Sequence, residues 1–138
     1  MPAKDLFHQA VKSALEKEQW LITADPLFIS VEGVDMSIDL GAEELLAAER
    51  NGRKIAVEIK SFIGTSEIYD FHLALGQFMN YRLALQKKEP ERTLYLAVPA
   101  EAYETFFVRP FVQSAIASFS LKLLIYAPDR EVIVQWIN

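Results

Sequence analysis

The chain predicts an α/β fold, one mixed β-sheet flanked by helices, in a single domain over residues 1–138. Three observations carry this expectation. Apolar runs at residues 45–50 and 53–62 flank Asn51-Gly52, the strongest short signal for a type I′ hairpin. Residues 93–98 are apolar without alternation, as in a strand covered on both faces. Stretches of helical spacing precede the hairpin, separate it from residues 93–98, and separate those from two further strands.

In chain order, residues 5–18 read as a helix. Phe7, Ala10, Val11, Ala14 and Leu15 share one face; His8, Lys12, Glu16 and Lys17 share the other, and Asp5 is placed to cap the start. With no cysteine or second histidine near it, His8 reads as a hydrogen-bonded residue at the surface or rim. Residues 20–23 form a short strand broken at Asp25-Pro26, and residues 27–32 a second one closed by Gly33. The stretch 36–43, with Asp39 and Glu43, leads into the hairpin. A two-residue turn places residues whose numbers sum to 103 opposite each other, so Glu49 faces Lys54, Leu45 faces Glu58 and Glu43 faces Lys60. Leu46 and Ala48 then share a face with Ile55, Val57 and Ile59.

Thr65 or Ser66 caps a long helix reaching about Lys87. Its core face is Phe71, Ala74, Leu75, Phe78 and Leu85, and Asp70, Ala74, Gln77 and Tyr81 form a neighbouring stripe. Residues 103–119 are helical but interrupted at Pro110. Residues 121–126 and 131–137 are strands joined by a tight turn.

Composition narrows the functional classes. Half the residues (51%) are hydrophobic and 24% are charged, as in an ordinary globular domain. The absence of cysteine excludes disulfides and thiolate zinc sites and fits a reducing compartment. No apolar run approaches the ~18 residues of a membrane span. Met1-Pro2-Ala3-Lys4-Asp5 leads into an amphipathic pattern rather than a signal peptide, so a cytoplasmic protein without a membrane association is expected. A net charge of −5 points to weak affinity for DNA alone, or to a partner that supplies the grip.

The chemistry centres on Glu58-Ile59-Lys60. A carboxylate and an ammonium two residues apart on a strand point to the same side. Such a pair can hold a divalent cation and, beside it, a charge that orients an attacking water. The plainer reading is a surface ion pair worth less than about 1 kcal/mol. Gln77 and Tyr81, one helical turn apart, equally read as a loop-bonding amide and a core ring with its hydroxyl at the rim.

The succession of helix, acidic strand, hairpin to Glu58-Ile59-Lys60 and helix with Gln77-X-X-X-Tyr81 resembles the PD-(D/E)XK nuclease superfamily over residues 5–98, the fold of restriction endonucleases. The whole chain more narrowly resembles the XisH family, cyanobacterial excision controlling factors of the fdxN element. The residues that carry this are Ile38-Asp39-Leu40-Gly41-Ala42-Glu43, Ile55-Ala56-Val57-Glu58-Ile59-Lys60-Ser61-Phe62, Ala74-Leu75-Gly76-Gln77-Phe78 with Tyr81-Arg82, and Thr93-Leu94-Tyr95-Leu96-Ala97-Val98-Pro99.

The resemblance implies a role in site-specific removal of a DNA element during heterocyst differentiation, alongside a recombinase and a companion protein of the XisI family. It implies Glu58, Lys60, Asp39, Gln77 and Tyr81 as catalytic residues. Mg²⁺ or Mn²⁺ would be held by Asp39, Glu58 and the Ile59 carbonyl, since hard cations prefer oxygen ligands. Two departures stand out. No proline precedes Asp39, and in the straight hairpin register Asp39 lies about four residues, roughly 13 Å, beyond Glu43. A bulge at Gly41-Ala42 would bring it back; otherwise Glu43 is the better-placed ligand. A nuclease-fold module without catalysis, binding DNA or a protein partner, is the competing reading. The apolar terminal stretch Val132-Ile133-Val134-Gln135-Trp136-Ile137 offers an edge for homodimer pairing.

Overall fold

The computed structural model describes residues 3–36 and 44–138; the segment carrying Asp39 and Glu43 lies outside the described residues, as do the side chains of residues 3–6 and of Glu44. The sheet has six strands in the order β1 (Leu21–Ala24), β4 (Glu44–Arg50), β5 (Arg53–Ile59), β6 (Arg92–Pro99), β7 (Leu123–Ala127) and β8 (Val132–Ile137). A two-stranded hairpin, β2 (Ser30–Val31) and β3 (Val34–Asp35), forms a separate small sheet. The sheet is mixed: β5, β6 and β7 run parallel, and the outer pairings are antiparallel.

Mixed pairing follows from the connections. The tight turn at Asn51-Gly52, with φ of 52° and 80°, joins β4 and β5 antiparallel. A helical crossover, α2 (Glu67–Lys88), is needed to bring β6 parallel to β5. A second crossover, α3 (Ala100–Ala102) with a π-helical turn (Tyr103–Phe107) and then α4 (Pro110–Ser118), does the same for β7. Successive right-handed crossovers toward one edge put their helices on one face. The core of that face joins Ala56, Leu94, Leu96, Leu123 and Ile125 to Phe71, Phe78 and Leu85 of α2 and to Phe107, Val112 and Ile116. Helix α1 (Ala3–Lys17) covers the other face, packing Val11 and Leu15 on Leu46, Ile55, Val57, Tyr95, Leu124 and Tyr126.

The expected hairpin register holds: Leu45 pairs with Glu58, Glu49 with Lys54, and Leu46 and Ala48 share the α1 face with Ile55, Val57 and Ile59. Among the described residues Glu49 and Lys54 face each other without forming an ion pair. Lys54 reaches Glu91 at 3.7 Å, and Glu49 lies 3.7 Å from Arg92, because the start of β6 supplies the nearer charges. Arg50, Arg53 and Lys54, the basic residues at the hairpin tip, are all engaged within the chain. Arg50 and Arg53 stack over the Trp20 ring, and Arg50 Nη1 donates to the Glu18 carbonyl at 2.9 Å.

Residues 27–32 do not form the expected sheet strand. Only Ser30 and Val31 pair, turning back through Glu32 and Gly33 at positive φ onto β3, while the Leu27 amide donates to the Leu45 carbonyl. The interruption after Phe107 precedes Pro110, which stands at the first position of α4, where its missing N–H costs nothing.

Candidate functional site

Strand β5 lies between β4 and β6, and its α2-facing residues end in Glu58 and then Lys60, whose amide continues the ladder to the Ala97 carbonyl. Both side chains are buried, Glu58 at 0% exposure and Lys60 at 6%, which replaces the surface ion pair by an interior site. The cause is α2. Ser66 caps its N-terminus, accepting from the Tyr69 amide at 3.2 Å, and the helix is laid across the sheet by Phe71, Ala74, Phe78 and Tyr81.

Neither carboxylate oxygen of Glu58 meets a hydrogen-bond donor among the described residues. The Tyr81 hydroxyl and the Gln77 carbonyl oxygen are buried and without a partner in the same way. Burial pushes the Glu58 carboxyl well above the usual carboxylate range. It also pushes the Tyr81 phenol up, with the Glu58 charge adding to the effect, which puts hydroxyl and carboxylate within electrostatic reach of each other. Burial draws the Lys60 ammonium below the usual lysine range, and the Asp70 carboxylate works against that shift.

Sequence reading placed Asp70 on the stripe with Gln77 and Tyr81 but gave it no role; that spacing was the available signal. Gly64 is what allows Asp70 so close: its amide donates to Asp70 Oδ2 at 3.2 Å, and a Cβ there would sit 2.7 Å from that oxygen. Between Lys60 and Gly64 the chain turns at Phe62, held at a φ of 55° with its ring edge-on to Phe107 at 5.1 Å. The structure sets Glu58 within electrostatic reach of Tyr81 and Lys60 within that of Asp70, and Gln77 lies one helical turn before Tyr81. Ile59 lies between Glu58 and Lys60 with its own side chain in the α1-side core. Asp39 and Glu43 lie outside the described residues. Among the described residues, no three or more His, Cys, Asp or Glu side chains cluster closely enough to hold a metal ion.

Beside this site, a cleft of about 810 Å³ opens at the carboxyl ends of β5, β6 and β7. That end of parallel strands is where α/β sheets characteristically bind ligands. Ser61, Thr65 and Thr105 line it with three acids, Glu67, Glu101 and Asp129, against one base, Arg130. His8, expected as a hydrogen-bonded residue at the surface or rim, is paired with Asp25: its Nε2 lies 2.8 Å from Oδ1, and Lys12 Nζ is 2.8 Å from Oδ2. No described helix is long and apolar enough to cross a membrane.

The model of the XisH protein family matches residues 1–134. The crystal structure of an XisH family protein from Nostoc punctiforme PCC 73102 superposes with a TM-score of 0.91 at 56% identity, covering 97% of this chain and 100% of that one. A fdxN element excision controlling factor protein from Anabaena variabilis gives 0.90 at 54% identity, over 97% and 99% of the two chains. No curated protein matches. Agreement of fold and sequence over nearly the full length of both structures leads to one assignment: the chain belongs to the XisH family.

Proposed function

We propose that this chain acts in the controlled excision of a DNA element, as the Anabaena relative's name describes for that protein, and that it does so as a PD-(D/E)XK-type endonuclease subunit dependent on Mg²⁺ or Mn²⁺. One observation supports the reading above all. Glu58 is a fully buried carboxylate on a central strand with no donor to either oxygen among the described residues. An ionised carboxylate in that position is costly unless a cation or a proton compensates it. Two lone oxygens at the end of a strand fit a hard divalent cation, with Asp39 or Glu43 and the Ile59 carbonyl as the remaining protein ligands. When bound, such an ion polarises a scissile phosphate and makes a coordinated water more acidic.

The chain's own residues supply the rest. Lys60, its ammonium disfavoured by burial and favoured by the charge of Asp70, orients the nucleophile and meets charge building on the phosphate oxygens. Tyr81, whose buried hydroxyl lies within electrostatic reach of Glu58, and Gln77, one turn before it on α2, brace the site.

The acid-lined cleft favours a second reading, a silent module that keeps the fold and controls a recombinase by binding a partner. Glu67, Glu101 and Asp129 repel phosphate, so DNA contact through this face requires a basic partner such as an XisI-like companion or the recombinase itself. Calorimetric titration with Mg²⁺ and Mn²⁺ separates the two. Saturable binding that disappears in Glu58→Ala supports the nuclease reading, and no binding in the wild type supports the silent one.

A further inference from the structure

Helix α2 has two apolar faces. One builds the core; the opposite one is exposed and carries no Asp, Glu, Lys or Arg from Ile68 to Gln86, about 28 Å of helix, in a chain that is 24% charged. Tyr69 (60% exposed), Leu73, Met79 and Leu83 (54%) stand out of this face. Midway along it, and in the middle of the exposed arc, is Gly76, with open space where a Cβ would lie. Glycine in an exposed helix interior weakens the helix, and nothing around Gly76 in the single chain requires it. The side chains are arranged symmetrically about it. Apolar residues occupy the positions three and seven before and after (Leu73 and Met79, Tyr69 and Leu83), and polar ones the positions four away (His72 and Asn80).

We infer that this face docks a second copy of the chain, α2 crossing α2 antiparallel about a two-fold axis at Gly76. On that axis residues whose numbers sum to 152 meet. Tyr69 lies against Leu83 of the second copy, Leu73 against Met79, and His72 against Asn80, which is the self-complementarity an isologous contact demands. Gly76 meets Gly76, so the backbones approach closely at the crossing. The antiparallel sense also sets the two helix dipoles in opposition. Arg82, whose guanidinium lies against the Met79 sulfur, donates to the Phe119 and Ser120 carbonyls, so this face offers little positive charge to nucleic acid. The contact continues onto the β2–β3 hairpin, where exposed Val34 borders the same groove as Leu83.

Sedimentation velocity of the full chain from about 1 to 300 µM tests the contact, since dimerisation follows mass action. A monomer–dimer equilibrium is expected, weakened at least about tenfold by Leu83→Glu and by Gly76→Gln. Gly76→Gln adds a better helix former in open space, so the thermal stability of the dilute monomer is expected to hold or rise. Because the chain has no cysteine, a Tyr69→Cys, Leu83→Cys double variant is expected to give a disulfide-linked dimer on oxidation. A wild type that stays monomeric throughout overturns the inference. So does a dimer that both α2 variants leave intact, or one that is dissociated instead by Val134→Lys on the β8 edge.

Discussion

The Glu58 carboxylate on β5 and the Tyr81 hydroxyl on α2 are buried close enough for the charge of one to raise the pKa of the other, and neither is hydrogen-bonded among the described residues. A buried hydroxyl without a partner contributes a desolvation cost and no bond. Tyr81→Phe therefore keeps the packing of the ring and is expected to leave stability unchanged or raise it by about 1 kcal/mol. Urea denaturation checks this. A loss above 1 kcal/mol means that the hydroxyl has a partner, and any role in positioning Glu58 then has to be rebuilt around it.

Glu58 itself sets a pH dependence. Its folded-state pKa lies above the unfolded value of about 4.3, so the native chain holds the proton longer than the unfolded chain does. Stability is then lost as pH rises from that unfolded value through the folded one. Glu58→Gln removes the titration with little change of shape. The variant is expected to match the wild type near pH 4 and to exceed it at pH 8 by roughly 1–3 kcal/mol. Thermal unfolding in chelator measures the gap, and added Mg²⁺ is expected to narrow it by stabilising only the ionised wild type. An equal gap at both pH values would falsify the assignment of Glu58 as an uncompensated carboxylate.

Under the nuclease reading, Lys60 is the residue that separates catalysis from metal binding. Lys60→Met retains the buried stem and deletes the ammonium. Under the nuclease reading, cleavage of supercoiled plasmid with Mn²⁺ is expected to fall by about a hundredfold or more. Metal affinity measured by calorimetry is expected to stay within a few-fold. Cleavage that survives the substitution removes Lys60 from the chemistry.

Local patterning reached most of this architecture. The Asn51-Gly52 turn dictates its own register, and through it the face on which Glu58 lies. Capping at Ser66 and the spacing of Phe71, Ala74 and Phe78 located α2 to within a residue or two. What local pattern does not encode is which strand edge a helix will cover. Glu58 and Lys60 alternate with apolar residues as on a half-exposed strand, yet the crossover lays α2 over them and makes the site interior. The same tertiary effect redirected Lys54 and Glu49 to β6 and spent Arg50 and Arg53 on Trp20. Apolar content alone gave residues 27–32 the look of a sheet strand. Their backbone pairs instead within the β2–β3 hairpin.

The contact of α1 with the turn after β1 offers a test of opposite sign to that of Glu58. Burial works against ionisation of Asp25, but hydrogen bonds from Lys12 and His8, with their charges, outweigh it and hold the carboxyl below its usual range. A depressed folded-state pKa means that the stabilisation is fully present above the unfolded value of about 3.9 and is lost as pH falls through the folded one. Asp25→Asn is expected to cost about 1 kcal/mol at pH 7, the modest figure appropriate to a pair near the surface, and nothing once the wild-type carboxyl is itself protonated. Parallel denaturation curves of wild type and variant from pH 7 down to the acid limit of folding follow that convergence. If the two curves stay a constant distance apart, the contribution of Asp25 is steric or turn-forming rather than ionic.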